Sequence, residues 1–322
     1  MRKNRSAARH GSSAPNRFLV TTVLLVAIAA CSAPAFSQRR TASSAQSGAA
    51  VLTITTEPNA IVWIDDVRRG TTDATGKLSL NKVSAGRHAV RVRATGFKET
   101  TVPLLPARRG NLAVRLLRTT DAAELAFQEA ETKRELAKTE ADRQTAVAAY
   151  RRALQLRPIF PAAHLGLARL MLDLNDYKEA LGEIEAARAA RPVYAEASAV
   201  EGRIHREGAF EDEAVKSFRR SIREAHGFQP EAHVGLARVF EEKGQLDEAI
   251  AEYRKALDQL SDSEPVIYQL LGAAYEKQQK YKEAVAAYEK YLALAPNGSL
   301  APALRSIIDQ LKRDAAGQEI VP

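Results

Sequence analysis

The hydrophobic pattern of the chain changes at about residue 120. Between residues 51 and 118, apolar and polar residues alternate in short runs, as at 51–55, 61–64, 87–93 and 112–116. Runs of period two that are bounded by Gly, Pro, Asp and Asn predict short strands joined by turns. We place turns at 57–59, 65–70 and 73–76. Six or seven strands in this space predict a small β-sandwich.

The alternation assigns side chains to the two faces of the sheet. In the run 87–93, His88, Val90 and Val92 share one face, and the arginines share the other. Trp63 is out of phase with its neighbours Val62 and Ile64. We favour a core position for Trp63 over a sugar-stacking platform.

The outward arginines form a candidate polyanion face. It would bind an anionic envelope polymer such as peptidoglycan or lipopolysaccharide. The alternative, which we favour, is a solvated outer face whose arginines discourage edge pairing. The candidate residues are Arg87, Arg91, Arg93 and Arg115.

Residues 121–313 show helical periodicity and an internal repeat of 34 or 35 residues. An alanine recurs with a large residue four positions later and, in most copies, a small residue seven positions later. The recurring alanines are Ala146, Ala180, Ala214, Ala249 and Ala284. This predicts helix pairs at 161–194, 195–229, 230–264 and 265–299, after a degenerate, solvated first pair. A cap helix at 300–313 closes the array, and 314–322 is a disordered tail.

This spacing resembles the tetratricopeptide repeat. The resemblance implies a solenoid that binds a protein or peptide partner along its concave face. Three arginines one repeat apart would suit carboxylates. Alternatively, Asp173, Glu207 and Glu242 satisfy those arginines locally at i+4 spacing. The implied groove residues are Arg169, Arg203, Arg238, Leu165, Val234 and Gln269.

The strand region has a family resemblance of its own. Thr56-Glu57-Pro58-Asn59-Ala60, Gly70-Thr71-Thr72 and the segments 61–66, 84–90 and 96–97 resemble the PEGA domain. The resemblance implies an extracytoplasmic binding or spacer module without catalysis. Asn59 replaces the glycine of the motif, and Asn also tolerates turn conformations.

The first 38 residues resemble a signal peptide. Five cationic residues precede an apolar run at 18–30, which is too short for a typical membrane-spanning helix. The segment 28–31 resembles a lipobox, in which Cys31 would be lipidated. Cleavage before Gln38 and an uncleaved anchor are the alternatives. Residues 39–50 are predicted to be a flexible linker.

Charge is distributed unevenly along the chain. Residues 39–120 carry 14 Lys or Arg against 5 Asp or Glu, whereas residues 121–322 carry 28 against 34. We interpret this asymmetry as two domains that meet different partners. Export removes nucleic acid as a partner of the basic region. With Cys31 as the single cysteine, an intramolecular disulfide is excluded.

The sequence contains no recognisable catalytic motif. Phosphate-binding glycine loops and nucleophile elbows are absent, and the histidines occupy predicted packing or turn positions. We therefore expect no enzyme, cofactor or metal. The predicted protein is a cell-envelope adaptor, periplasmic or anchored in the membrane only through a lipid. The rivals are a wall-associated structural protein and a subunit of an envelope assembly or secretion machine.

Overall fold

The computed structural model describes residues 51–81, 83, 87–106, 110–260 and 264–318. The predicted signal segment, Cys31 and the linker lie outside the described residues. No helix in the described ranges is both long enough and apolar enough to cross a bilayer.

The first part of the described chain consists of a three-stranded mixed sheet and a four-stranded antiparallel sheet. One has the strand order β4-β1-β7 and the other the order β3-β2-β5-β6. The strands are β1 (Leu52–Thr55), β2 (Ile61–Ile64), β3 (Val67–Thr71), β4 (Lys77–Leu80), β5 (His88–Arg93), β6 (Thr100–Leu104) and β7 (Asn111–Ala113). Alternate side chains of both sheets, including Ile54, Val62, Val90 and Leu112, are packed into one buried cluster. This is the predicted β-sandwich.

The turn predicted over 65–70 is shorter than expected. Asp65 and Asp66 have φ of 52° and 63° and connect β2 to β3 as a two-residue hairpin turn. Positive φ at both central positions suits the twist of the flanking strands, and Asp tolerates this conformation. Val67 therefore begins a strand, and the interpretation of 67–70 as turn was wrong.

The second part of the chain is a series of helices. These are α1 (Ala122–Leu136), α2 (Glu140–Leu156), α3 (Pro161–Asp173), α4 (Tyr177–Ala190), α5 (Ala195–Glu207), α6 (Glu211–Glu224), α7 (Pro230–Glu242), α8 (Leu246–Leu260), α9 (Val266–Lys277), α10 (Tyr281–Leu294) and α11 (Ala301–Gln318). They pack as consecutive pairs with a closing helix. The predicted fold class, a β-sandwich followed by an α-helical solenoid, is confirmed.

Neighbouring helices of the array pack closely because aromatic rings of one helix lie against glycines of another. A Cβ built on Gly235 of α7 would lie 2.3 Å from the Phe218 ring of α6, and one on Gly272 would lie 2.4 Å from Tyr288. Gly166 and Gly202 face Tyr150 and Phe218 in the same way. The glycines leave room for rings that fill the gaps between helices.

The first pair differs from the predicted solvated cap. Phe127 and Ala130 of α1 are part of the same buried cluster as α2, α3 and α4. Arg134, which stands where the repeat has a small residue, donates a hydrogen bond to the Tyr150 hydroxyl at 3.3 Å. The side chain of Glu131 is only 14% exposed. The expectation of a solvated pair was wrong for α1, because the sandwich covers it, whereas α2 keeps an exposed face.

Candidate functional site

The four-stranded sheet is buried on its core face and over part of the opposite face. Val62, Val90 and Val92 point into the sandwich core, so Trp63, Arg91 and Arg93 point away from it. These three side chains are nevertheless buried, with 6–9% of each residue exposed. The guanidinium carbons of Arg91 and Arg93 lie 4.4 and 5.1 Å from the Trp63 ring centre. Such stacking is a cation–π arrangement.

The helices cover this second face of the sheet. We call the surface formed by the first helices of the pairs, α1, α3, α5, α7 and α9, the inner face. Arg91 Nη2 lies 2.9 Å from Glu196 Oε1 of α5, and Arg93 Nη1 lies 3.1 Å from Glu131 Oε2 of α1. Arg93 also lies over the Phe127 ring at 4.5 Å. The sandwich is thus docked on the inner face of the first three pairs.

Further contacts across this interface are polar. Arg68 of β3 pairs with Glu135 of α1 at 2.7 Å, and Arg191 pairs with Asp66 of the β2–β3 turn at 3.1 Å. The Gln128 side chain accepts a hydrogen bond from the main-chain N–H of Gly96 and donates one to the carbonyl of Phe97.

The two buried carboxylates of the interface have pKa values shifted in opposite directions. Burial alone would raise the pKa of Glu131, but the guanidinium groups of Arg93 and Arg134 lower it below its ordinary value. Burial raises the pKa of Glu196, and Arg91 opposes that rise. These carboxylates therefore depend on arginines of the interface for their charge.

The structure corrects the interpretation of the candidate polyanion face. Arg91 and Arg93 are not on a solvated surface, because acids of the sandwich and the helices surround them. Arg87 and Arg115 are exposed, but Arg87 precedes β5 and Arg115 follows β7 of the other sheet. Trp63 is buried as expected, yet it lies at the interface with the helices and not in the sandwich core.

A polar cavity lies between the sandwich and the helices. It has a volume of about 320 Å³ and is lined by residues that include Trp63, Glu131, Arg169, Asp173 and Glu196. Its lining is mostly charged, which makes it suitable for water. Arg169, the first of the three predicted groove arginines, therefore lies beneath the sandwich.

A second void, which we call the inner groove, continues along α5, α7 and α9. Its volume is about 520 Å³, and Val67 and Arg68 of β3 form part of its lining. Aliphatic residues occupy much of the rest, together with arginines and glutamates. The helix-side residues are Arg203, Arg206, Glu207, Pro230, Glu231, Val234, Gly235, Arg238, Leu260, Glu264, Val266 and Ile267.

The inner groove includes only some of the predicted groove residues. Arg203, Val234 and Arg238 line it. Leu165 is 1% exposed within the core of the first pairs, so the expectation that a partner contacts it was wrong. Gln269 is half-buried on α9 and is not part of the lining. Sequence reasoning missed Val67, because the docking of β3 has no local signature.

The ion pairs of the inner groove differ from the expected i+4 pattern. Arg203 pairs with Glu231 of the next repeat at 3.7 Å. Glu207 and Glu242, the acids expected to satisfy Arg203 and Arg238, instead pair with Arg206. Arg238 is exposed and has no described carboxylate within 4 Å, although its charge interacts with that of Glu242 as the i+4 spacing predicts.

Four of the described histidines lie within 4 Å of a carboxylate, and in three of them the distance is that of a hydrogen bond. His164 lies 2.6 Å from Glu183, and His233 lies 2.5 Å from Glu252, each pair joining the two helices of one repeat. His88 pairs with Asp65 at 2.5 Å. Within the described ranges, no group of three or more His, Cys, Asp or Glu side chains is arranged to hold a metal ion.

Two parts of the helical array match a known family of repeats. Residues 139–204 and 228–297 match two models that are each described as Tetratricopeptide repeat. The comparison of the sequence with curated proteins gives no match. The helices are tetratricopeptide-type repeats, and this fold supports a role in protein interaction.

Solved structures resemble the helical part of the chain. PilF of Pseudomonas aeruginosa superposes with a TM-score of 0.51 at 17% identity, covering 61% of this chain and 86% of PilF. A thermophilic TPR protein of Thermus thermophilus gives 0.49 at 23% identity, covering 59% and 98%. At such identities the likeness concerns the fold alone.

Proposed function

We propose that this protein is a non-enzymatic scaffold of the cell envelope that binds a protein or peptide partner in the inner groove. The observation that carries the proposal is the groove itself, a void of about 520 Å³ where the sandwich leaves the inner face uncovered. The groove is concave and combines apolar side chains with arginines and glutamates. Apolar surface with polar groups that fix orientation is a feature of binding sites.

The sandwich contributes to this function by covering the rest of the inner face. It resembles the PEGA domain in segments 56–66 and 70–72, and we assign it to that type of module. Because Arg91, Arg93 and Trp63 are committed to the helices, we place the binding role in the groove and not on this face.

The envelope location is supported by the sequence of residues 1–38. Mass spectrometry of the mature protein tests it. A diacylglycerol or triacyl mass on Cys31, absent from Cys31→Ser, would support a lipoprotein, and an N-terminus at Gln38 would support soluble export. Retention of the chain in the cytoplasm with Met1 intact would contradict the envelope proposal.

Crosslinked affinity capture tests the groove. The natural protein is compared with the double variant Arg203→Glu, Arg238→Glu and with a matched control, Arg219→Glu, Arg223→Glu. The control makes the same charge change on exposed residues of α6. A discrete protein captured by the natural chain and the control, but lost from the groove variant, is the expected result. Equal capture by all three chains would overturn the proposal.

A further inference from the structure

The inner groove has walls from two different parts of the chain. The helix wall is made by α5, α7 and α9, and the opposite wall is made by Val67 and Arg68 of β3. Val67 is half-buried and packs against the hydrophobic cluster of the last repeats. β3 therefore extends from the docked sandwich as far as α9, and the site requires both parts.

The apolar part of the groove, which we call the aliphatic seat, can bind an aliphatic side chain. Val67 lies on one side, and Val234 and Ile267 lie on the other. Val266 at the start of α9 is 45% exposed and adds apolar surface to the groove. Burial of this apolar surface by a ligand is favourable.

Charge in the groove favours an anionic group beside that seat. Glu231 is engaged by Arg203, and Glu207 is engaged by Arg206. Arg68 is engaged by Glu135 of α1. The lining carries four arginines against three glutamates, of which Glu264 is the third. Glu242 interacts with Arg238 electrostatically, but no described carboxylate lies within 4 Å of its exposed guanidinium, whose forked geometry matches a carboxylate.

The wall made by β3 favours an extended ligand. β3 is an edge strand of the four-stranded sheet. A peptide in extended conformation can lie along such an edge and direct alternate side chains to opposite sides. One side would meet the aliphatic seat, and neighbouring residues would meet Arg238.

We propose that the inner groove binds an extended peptide segment of a partner protein that carries an aliphatic residue next to an aspartate or glutamate, and that β3 of the sandwich selects it together with α7. This inference rests on the proposed function and adds the class of ligand. It also makes the sandwich a part of the binding site.

Binding of the whole chain to an array of eight-residue peptides, followed by fluorescence anisotropy with the tightest peptide, tests the inference. We expect the selected peptides to contain Leu, Ile or Val within two residues of Asp or Glu. Exchange of the acid for Lys should weaken binding at least tenfold. The variant Arg238→Glu should lose affinity for the acidic peptide and gain it for the Lys peptide, whereas Arg219→Glu should bind as the natural chain does.

Variants at Val67 distinguish a site built from both the sandwich and the helices from a groove formed by the helices alone. Val67→Thr keeps the side-chain shape and the strand propensity, and Val67→Asp adds a charge; thermal melts verify that both fold. We expect a three- to tenfold loss for Thr and a larger loss for Asp. Unchanged affinity in both folded variants, or selected peptides without an acid, would overturn the inference while the capture experiment still supports the proposed function. If no peptide binds and the double variant Arg203→Glu, Arg238→Glu captures the same proteins as the natural chain, the inference and the proposed function are both overturned.

Discussion

Arg91 of β5 and Glu196 of α5 form an ion pair across the interface between the sandwich and the repeats. Arg91 Nη2 and Glu196 Oε1 are 2.9 Å apart, and the two side chains are 11% and 8% exposed. Removal of charges from water is costly, so such a pair is maintained by the hydrogen bonds and further charges around it. Asp66 and Glu99 supply further charges at 3.4 and 3.6 Å from Arg91.

Replacement of one partner should be more harmful than replacement of both. Arg91→Met leaves Glu196 buried without its cation, and we expect a loss of about 3 kcal/mol in the free energy of unfolding. Adding Glu196→Gln should recover a large part of this loss. Urea denaturation of the two single variants and the double variant measures the coupling. Additive effects would show that the two residues do not interact.

The close packing of α6 on α7 makes Gly235 sensitive to a single methyl group. Gly235→Ala would place a Cβ 2.3 Å from the Phe218 ring, and we expect a destabilisation of about 1–3 kcal/mol from overpacking. Gly182 of α4 is the matched control, because a Cβ there meets nothing within 4 Å. Gly182→Ala should stabilise the protein by about 0.5–1 kcal/mol through helix propensity. Thermal melts that showed the same change for both variants would refute this packing account.

The pair His164–Glu183 should make stability depend on pH. The hydrogen bond with Glu183 raises the pKa of His164 above its ordinary value of 6.5, and burial opposes this. A raised folded-state pKa gives stability that is complete below pH 6.5 and is lost as pH rises through the folded pKa. The natural chain should therefore lose stability over this range relative to His164→Gln, measured by denaturation from about pH 5 to about pH 9. Parallel curves for the two chains would contradict the assignment.

Trp63 is the single tryptophan of the chain and reports on docking. It lies beneath Arg91 and Arg93 with 8% of its surface exposed. Glu196→Lys places like charges together and should loosen the interface, so Trp63 emission should shift to longer wavelength and acrylamide quenching should increase. Glu248→Lys on α8 is an exposed control. If Glu196→Lys folded with unchanged quenching, the docked arrangement would be incorrect.

Local patterns were sufficient to predict the two folds. The recurrence at Ala180, Ala214 and Ala249 placed the helix pairs, because each repeat has the same packing requirement. Alternation placed the strands around Val62 and Val90. The turn after Ile64 was predicted too long, since a two-residue turn of Asp65 and Asp66 leaves no compositional boundary before β3.

The docking of the sandwich on the repeats was not predicted, because periodicity describes single elements and not their distant partners. Two signals in the sequence were consistent with it. The sandwich region is basic and the repeats are acidic, which we interpreted as binding to different partners. The structure shows that the two regions meet each other, through Arg91 with Glu196 and Arg93 with Glu131. Trp63, out of phase with the core, was the second signal.

Hydrogen–deuterium exchange of the whole chain, with and without a peptide that carries an aliphatic residue beside an acid, tests the composite groove most directly. We predict slower exchange in β3, α7 and the start of α9 together when the peptide is bound, with α2 and α4 unchanged. Protection confined to the helices, with β3 exchanging at its free rate, would contradict a site built from both the sandwich and the repeats.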